Sequence, residues 1–324
     1  MEYFRPHFLL RSPHMQTLLS TRLVRRRDGV GVSLLRAAET VTVPCRDGIR
    51  LQALLNRADD GVADGPLIVL IHGWLGRADS PYLRRAAAAL HAAGFSVARL
   101  LLRDHGGTAH LNEALFHAGR IDEVVDACNW LAGHHGGARC GLMGFSLGGN
   151  FVLRLAAHPQ TSARFRTALA VCPVLDPAAA VANLDRGWIG YQRYFLGKWR
   201  KAFAEKAAAF PGRYDFSAAA RLSRVDTLTD YFVTRFTEFR DAREYYARYT
   251  LTRNLARSLR MPVQILAAED DPVIPAEHFR MLAASDGADF VTLTRHGGHC
   301  AFIQDFRLSS PVEAHAVKLF ASTC

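Results

Sequence analysis

Hydrophobic positions along this chain repeat with two different periods. Uninterrupted apolar runs such as Leu67–Ile71 are typical of strands that are covered on both faces of a sheet. Between these runs lie stretches such as residues 119–133, whose apolar side chains recur at helical spacing. Because strands alternate with helices, we expect a mostly parallel, doubly wound sheet of eight strands. The predicted strands are 41–45, 49–55, 67–71, 95–102, 140–144, 167–174, 263–267 and 290–293, and the predicted helices are 81–93, 119–133, 147–157 and 312–320.

The first two predicted strands differ from the others because only a short turn separates them. Residues 41–45 alternate between apolar and polar side chains, and Arg46-Asp47-Gly48 supplies residues that favour a tight turn. This pattern predicts a β-hairpin, so that the sheet begins with an antiparallel pair.

Residues 177–250 interrupt the alternation of strands and helices. They separate two predicted strands by far more residues than one crossover helix requires, and their pattern is mostly helical. We therefore expect a helical cap or lid at 177–250. It would be inserted between a first part of the α/β core, residues 1–176, and a second part, residues 251–324, which carries the candidate acid and histidine.

Aromatic side chains are concentrated in this predicted cap. Residues 188–249 hold 16 of the 32 Phe, Trp and Tyr residues of the chain. Such rings either form the core of the cap or line an apolar substrate tunnel beneath it, and the sequence leaves both interpretations open. The spacing places two groups on helix faces: Trp188, Tyr191, Tyr194, Phe195 and Trp199, and then Tyr231, Phe232, Phe236 and Phe239.

The formal net charge of +10 raises the question of an anionic partner. Arginine supplies 36 of the 40 basic residues, but they are spread along the chain, and residues 25–27 form the one short arginine cluster. No zinc-finger spacing, RNA-binding motif or basic helix interleaved with aromatic residues is present in the sequence. These observations argue against nucleic-acid binding. They leave open a weak peripheral contact with an anionic membrane, or an acidic substrate.

Location and cofactors follow from what the sequence lacks. No stretch approaches the roughly 18 apolar residues of a membrane-spanning helix. The first residues contain arginines and a proline, which is not typical of a signal peptide. The six cysteines show no metal or disulfide spacing. We therefore expect a cytoplasmic protein with free thiols that uses no cofactor and no metal.

The stretch Gly144-Phe145-Ser146-Leu147-Gly148 lies between a predicted strand and a predicted helix. This is the context of a nucleophile elbow, in which a strained turn presents a serine at the edge of the sheet. Side chains two residues before and after that serine would collide with neighbouring backbone, so glycine is needed at both positions. The N-terminus of the following helix also favours negative charge near the serine. We therefore predict that Ser146 is a nucleophile.

A serine nucleophile needs a base, and the base needs a carboxylate that orients it. In this architecture both follow the serine in the chain, the acid first. Asp271 follows a predicted strand and precedes a proline, and we prefer it as the acid to its neighbours Asp270 and Glu269. His299 is the preferred base because it lies beyond two glycines in the loop after the last strand. A metal site formed by His296 and His299 is the competing interpretation, although no further ligands with metal spacing are visible.

A tetrahedral intermediate on Ser146 would carry an oxyanion that needs backbone N–H donors. The N–H of Leu147, the residue after the nucleophile, is the expected first donor. The second is expected from the loop after the third strand, where Trp74 is our candidate and Gly73 lets the backbone approach closely. His72 in the same loop is expected to brace it rather than to react.

Together these blocks resemble the α/β-hydrolase superfamily and, within it, the YheT-like branch of bacterial hydrolases, which is akin to mammalian abhydrolase-domain lipid esterases. The resemblance spans essentially the whole chain. From the sequence we assign no role to the motif at residues 14–18, which is the first of those listed next. The motifs that carry the resemblance are His14-Met15-Gln16-Thr17-Leu18, His72-Gly73-Trp74-Leu75-Gly76, Asp79-Ser80-Pro81-Tyr82, His117-Ala118-Gly119, Gly144-Phe145-Ser146-Leu147-Gly148-Gly149-Asn150, Asp270-Asp271-Pro272-Val273-Ile274-Pro275 and His296-Gly297-Gly298-His299.

The resemblance implies a triad of Ser146, Asp271 and His299, in agreement with the argument from the residues. It also implies hydrolysis of carboxylic esters, with lipid or short-to-medium acyl esters as substrates. Two departures stand out. Residues 103–107 are Arg-Asp-His-Gly-Gly where the family usually has Arg-Gly-Cys/His-Gly-Gly, which we expect to alter the pocket rim. The N-terminal membrane anchor of the eukaryotic relatives is absent, which argues against integral membrane attachment.

We therefore expect a serine esterase that works through an acyl-enzyme. The same residues would serve an acyltransferase in which an alcohol or thiol replaces water, and the sequence does not distinguish the two. A catalytically silent binding protein with the same fold is a third hypothesis. The presence of serine, aspartate and histidine in this order argues against it.

Overall fold

The computed structural model describes residues 4–22, 29–58, 65–251, 254–284 and 290–324, so the arginine cluster at 25–27 lies outside the described residues. The strands are β1 (Glu39–Pro44), β2 (Arg50–Asn56), β3 (Leu67–Ile71), β4 (Ser96–Leu101), β5 (Cys140–Phe145), β6 (Phe165–Val171), β7 (Val263–Ala268) and β8 (Val291–Thr294). The α-helices are α1 (Pro13–Arg22), α2 (Gly29–Arg36), α3 (Pro81–Ala92), α4 (Ile121–His135), α5 (Leu147–Ala157), α6 (Pro177–Arg186), α7 (Ile189–Ala209), α8 (Val225–Phe236), α9 (Ala242–Tyr249), α10 (Leu255–Ser258), α11 (Ala276–Ala283) and α12 (Pro311–Thr323).

All eight strands belong to one sheet, in the order β1-β2-β4-β3-β5-β6-β7-β8. The hairpin β1–β2 is antiparallel, and β2 also pairs antiparallel with β4. Every later pairing, from β4–β3 to β7–β8, is parallel. The structure therefore confirms the mostly parallel, doubly wound sheet that begins with an antiparallel pair.

The central strand β3 shows why this sheet is covered on both faces. All five of its side chains are fully buried. Ile68 and Leu70 belong to a core cluster with residues of α3 and α12, such as Leu83 and Phe320. Their neighbours Val69 and Ile71 point the other way, into the cluster that includes α4 and α5. A continuous apolar run is thus the expected sequence for a strand between two helical layers.

Strand β6 ends three residues earlier than its apolar pattern predicts. The run to Val174 remains buried, but the backbone of Cys172 adopts a left-handed conformation with φ of 44°. A residue in that conformation cannot continue a strand. The apolar residues after Val171 therefore form a buried loop beside Ser146, whose N–H donates to Val171 O at 2.9 Å.

The segment between β6 and β7 is helical, with α6 to α9 as its main elements. Lys206 of α7 ties it to the α/β core: this fully buried ammonium donates to Asp104 Oδ1 at 2.9 Å and to Asn112 O at 2.5 Å. Burial raises the pKa of the Asp104 carboxyl, and the Lys206 ammonium opposes that rise. The domain limits at 176/177 and 250/251 stay a prediction. Among the described helices, none is both long enough and apolar enough to cross a membrane.

Candidate active site

Ser146 occupies the strained turn between β5 and α5. Its backbone is left-handed, with φ of 54° and ψ of −117°. A Cβ at Gly144 would collide with Gly148 O, and a Cβ at Gly148 would collide with Ile71 O. Both glycines are therefore required by close backbone approach, as the sequence pattern predicts.

The structure brings Ser146, His299 and Asp271 into one hydrogen-bonded chain. Ser146 Oγ lies 3.0 Å from His299 Nε2, and His299 Nδ1 lies 2.8 Å from Asp271 Oδ2. The other carboxylate oxygen, Asp271 Oδ1, accepts the N–H groups of Val273 and Ile274 at 2.8 and 3.0 Å. These two bonds fix the carboxylate, which in turn fixes the imidazole ring.

The rival acids have other partners. Asp270 Oδ1 accepts the Gly298 N–H at 2.9 Å, and Asp270 Oδ2 lies 3.4 Å from His296 Nδ1. Glu269 pairs at 3.1 Å with Arg280 on the surface. His296 and His299 thus face different carboxylates, which is not the arrangement of a shared metal site.

One group of side chains in the described part of the chain could chelate a metal ion. Its donor atoms, from Cys172, His299 and Cys300, lie within 4.8 Å of one another. Both ring nitrogens of His299 already contact Ser146 and Asp271. A metal ion here would have to break one of those contacts.

Charge and burial act in opposite directions on His299. Burial lowers its pKa, whereas the negative charge of Asp271, with a contribution from Cys300, raises it. The net pKa of His299 lies well above its ordinary value. The imidazolium is thus stabilised by its carboxylate partner, as a histidine that accepts a proton requires.

The two expected oxyanion donors, Trp74 N–H and Leu147 N–H, are not bonded to any acceptor within the described ranges. In the Trp74 loop the amides on either side do have acceptors. Gly73 N–H donates to the Tyr82 hydroxyl at 3.1 Å, and Leu75 N–H donates to His105 Nε2, also at 3.1 Å. A Cβ at Gly73 would lie 3.2 Å from the Cβ of Ser146, so this loop passes directly beside the serine.

Two neutral histidines brace this loop. His72, as expected, has a bracing geometry: its ring donates to Gly73 O at 2.8 Å and accepts the Leu102 N–H at 3.2 Å. Burial lowers the pKa of His72 to about 3. The second brace is His105, whose Nε2 accepts the Leu75 N–H at 3.1 Å and whose pKa burial lowers to about 4. We did not predict His105, although it stands in the loop that departs from the family pattern.

The unassigned motif at residues 14–18 lies in α1, against the loop that carries His299. The fully buried Gln16 donates to Leu10 O at 2.7 Å and to Ile303 O at 2.8 Å, and accepts the Ile303 N–H at 2.7 Å. Thr17 Oγ1 accepts the His299 N–H at 3.0 Å. The motif therefore holds the backbone on which His299 is mounted.

An apolar cavity opens above Ser146. It encloses about 1000 Å³ of empty volume, including space open to solvent. The cap supplies much of its wall, notably Phe195 and Trp199 of α7 and Phe232 of α8. Further apolar and aromatic lining residues include Trp74, Leu75, Leu115, Phe116, Leu147, Val174, Ala180, Val181, Leu184, Phe203, Tyr245, Tyr246, Tyr249, Val273 and Ile274, and polar lining residues include Asp104, His105 and Thr229.

The prediction that Trp188, Tyr191, Tyr194, Phe195 and Trp199 share one helix face is wrong for two of the five. Trp188 and Tyr194 are exposed, whereas Phe195 and Trp199 line the cavity and Tyr191 is buried. Trp188 precedes the first residue of α7, so helical spacing does not govern it. Tyr194 is one position, or about 100°, from Phe195 around the helix.

The second aromatic group divides as well. Phe232 lines the cavity. Tyr231 and Phe236 pack against one another at 5.8 Å, and Phe239 packs edge-on against His117 at 5.4 Å. Some cap aromatics thus line the cavity and others pack within the structure, and a role of the cavity as a substrate tunnel stays a prediction.

The sheet, the strand-turn-helix around Ser146 and the downstream acid and histidine define the class of protein. A family model described as alpha/beta hydrolase fold matches residues 66–306, and the chain belongs to this family. This match confirms the predicted α/β-hydrolase fold.

Among proteins of known sequence, the chain is similar to "Putative esterase YheT" of Escherichia coli (strain K12). The two are 27% identical over 293 residues, which cover 90% of this chain and 84% of that protein. The predicted resemblance to YheT-like hydrolases is thereby confirmed.

Solved esterase structures share the fold. The Pyrococcus furiosus esterase Pf2001 superimposes with a TM-score of 0.59 at 13% identity, covering 90% of this chain and 92% of that one. Est1E from Butyrivibrio proteoclasticus gives a TM-score of 0.55 at 16% identity, covering 87% and 98%. At such identities the likeness concerns the fold alone.

Gln16→Leu should destabilise the protein by about 2–4 kcal/mol, because one N–H and two carbonyl groups in a buried site would lose their partner. Chemical denaturation measures this as a fall in the free energy of unfolding. Met15→Leu, an exposed change on the same helix, is the matched control and should stay within about 0.5 kcal/mol. Equal stability of the two variants would contradict the role of Gln16 in holding the backbone of the loop that carries His299.

Proposed function

We propose that this protein is a serine esterase that cleaves carboxylic esters with Ser146, His299 and Asp271. The observation that carries the proposal is the hydrogen-bonded chain from Ser146 Oγ to Asp271, which opens into an apolar cavity. The E. coli relative bears an esterase name, which supports the same reaction class.

In the proposed reaction, Ser146 Oγ attacks the ester carbonyl carbon while His299 Nε2 takes the hydroxyl proton. The carbonyl oxygen becomes an oxyanion, which the N–H groups of Trp74 and Leu147 would stabilise. His299 then gives its proton to the departing alcohol, leaving an acyl group on Ser146. Water, activated by the same histidine, hydrolyses that acyl-enzyme and restores the serine.

The cavity supports an uncharged, apolar acyl group as the substrate's main anchor. Its wall is built mainly of aromatic and aliphatic side chains, and Asp104 is the one acid among the described residues that line it. That carboxylate is paired with Lys206. We therefore propose lipid esters or short-to-medium acyl esters as substrates, in which apolar burial supplies binding energy.

Ser146→Ala tests the proposal directly. The parent protein should react with a fluorophosphonate probe and hydrolyse p-nitrophenyl esters, whereas the variant should not label and should lose roughly 10⁴-fold or more in kcat. Retained labelling in Ser146→Ala would refute the role of this serine, and a parent with no activity on any ester would favour a silent binding protein. Product analysis with an added alcohol separates hydrolysis from acyl transfer.

The raised pKa of His299 predicts the pH profile. Protonated His299 cannot accept the serine proton, so kcat/KM should rise with pH through an inflection above the ordinary histidine value. Asp271→Asn removes the charge that raises this pKa, so the inflection should move to lower pH and kcat should fall by roughly 10⁴-fold. An inflection that stays in place in Asp271→Asn would show that another group controls it.

Phe195→Ala tests the cavity as the acyl site. The ring stacks on Trp74 at 5.3 Å, so its removal widens the cavity beside Ser146. The preferred acyl length in a p-nitrophenyl ester series should increase, while Trp188→Ala, which removes an exposed ring, should leave it unchanged. An unchanged preference in Phe195→Ala would place the acyl group elsewhere.

A further inference from the structure

Helix α7 presents apolar side chains to solvent as well as to the cavity. Trp188, Ile189 and Tyr194 are 48%, 50% and 48% exposed, and Met15 of α1 is 44% exposed. Trp188 is joined to α1 through His14, whose ring lies 6.0 Å away. We call Met15, Trp188, Ile189, Arg193 and Tyr194 the docking face.

The same surface is basic. Residues 186–201 contain no acidic residue, and their exposed basic side chains are Arg186, Arg193 and Lys201, the last of which also pairs with Glu205 at 3.7 Å. Lys198 and Arg200 of the same segment donate to backbone carbonyls instead. Ile189, Arg193 and Lys201 are exposed at multiples of four residues, so they follow one side of the helix. Exposed tryptophan, tyrosine and isoleucine between basic residues are typical of helices that lie in the headgroup region of a bilayer.

The docking face lies next to the candidate active site. On the opposite side of α7, Phe195 stacks on Trp74 and lines the cavity. Lys198 Nζ donates to Leu75 O at 2.9 Å in the same loop and lies 5.0 Å from the centre of the Tyr194 ring. One helix therefore separates the cavity above Ser146 from the exposed apolar surface.

We propose that the docking face binds the surface of an anionic lipid bilayer. Its aromatic and aliphatic side chains would enter the headgroup region, and Arg186, Arg193 and Lys201 would contact lipid phosphates. A second copy of the chain fits this face less well. A twofold contact would oppose the same basic residues to one another, in a protein whose net charge is already +10.

Docking in this way would place the cavity mouth near esters held in the membrane. This consequence rests on the proposed esterase function, whereas binding to the bilayer does not. The two are therefore measured separately, with Ser146→Ala used for binding so that no lipid is consumed.

The binding experiment is co-sedimentation with vesicles of phosphatidylcholine alone and of phosphatidylcholine with 30 mol% phosphatidylglycerol. Ser146→Ala should partition to the anionic vesicles, and added salt should weaken that binding. Adding Trp188→Ala, Ile189→Ser and Arg193→Glu should reduce the partition coefficient roughly tenfold or more. The matched control combines Met281→Ser and Arg243→Glu, an exposed methionine and an exposed arginine of other helices, and should bind as the parent does.

Three outcomes would overturn the proposal: no binding of the parent to anionic vesicles, equal binding of the docking-face variant and the parent, or a dimer that only the docking-face variant disrupts. Circular dichroism checks that each variant is folded.

A kinetic experiment uses the protein that retains Ser146. There the three docking-face substitutions should slow hydrolysis of an ester held in vesicles and leave hydrolysis of a short water-soluble ester unchanged. If no ester is hydrolysed but anionic vesicles are still bound, the proposed function fails and the docking face stands.

Discussion

The candidate site depends on one steric constraint: the backbone of Ser146 is left-handed, and three chain segments meet at the turn that holds it. Gly148 packs onto the carbonyl at the end of β3, and Gly144 packs onto Gly148. The conformation is costly for a residue with a side chain, so the surrounding sheet must enforce it. In return it aims Oγ at His299 and begins α5 beside the serine, so that helix N–H groups face the reacting position.

Around this turn the protein uses histidine for two opposite purposes. His72 and His105 are buried, and no carboxylate in the described part of the chain pairs with them. Burial therefore lowers their pKa, and as neutral rings they link backbone groups by hydrogen bonds. His299 is also buried, but Asp271 reverses the effect and favours the protonated ring. The Asp271 carboxylate, more than the depth of burial, thus distinguishes His299, whose protonated ring is favoured, from the neutral rings of His72 and His105. His72 and His105 matter to the same site because their hydrogen bonds hold the conformation of the loop that carries Trp74.

Sequence patterns captured the features that have local causes. Strand periods and the glycines around Ser146 reflect constraints within a few residues. Asp271 and His299 were predicted from the chain order that this architecture imposes, and the structure brings them together with Ser146. The role of residues 14–18 was not predictable, since Gln16 contacts Ile303, a residue 287 positions away. Its only signal was an unexplained motif. His105 was missed for a similar reason, because its partner Leu75 lies 30 residues away along the chain.

The error at Trp188 and Tyr194 has a physical cause that bears on how α7 works. Aromatic residues at helical spacing were assigned to one face, but this helix carries aromatic rings on two. Its inner face is fixed to the core by Lys198 near its middle and by Lys206 near its end. Withdrawing α7 would leave the buried Asp104 carboxylate without its ammonium partner, an arrangement that is costly in a protein interior. Helix α7 is therefore held to the core along its inner face as a wall of the cavity, while its outer face carries the exposed rings.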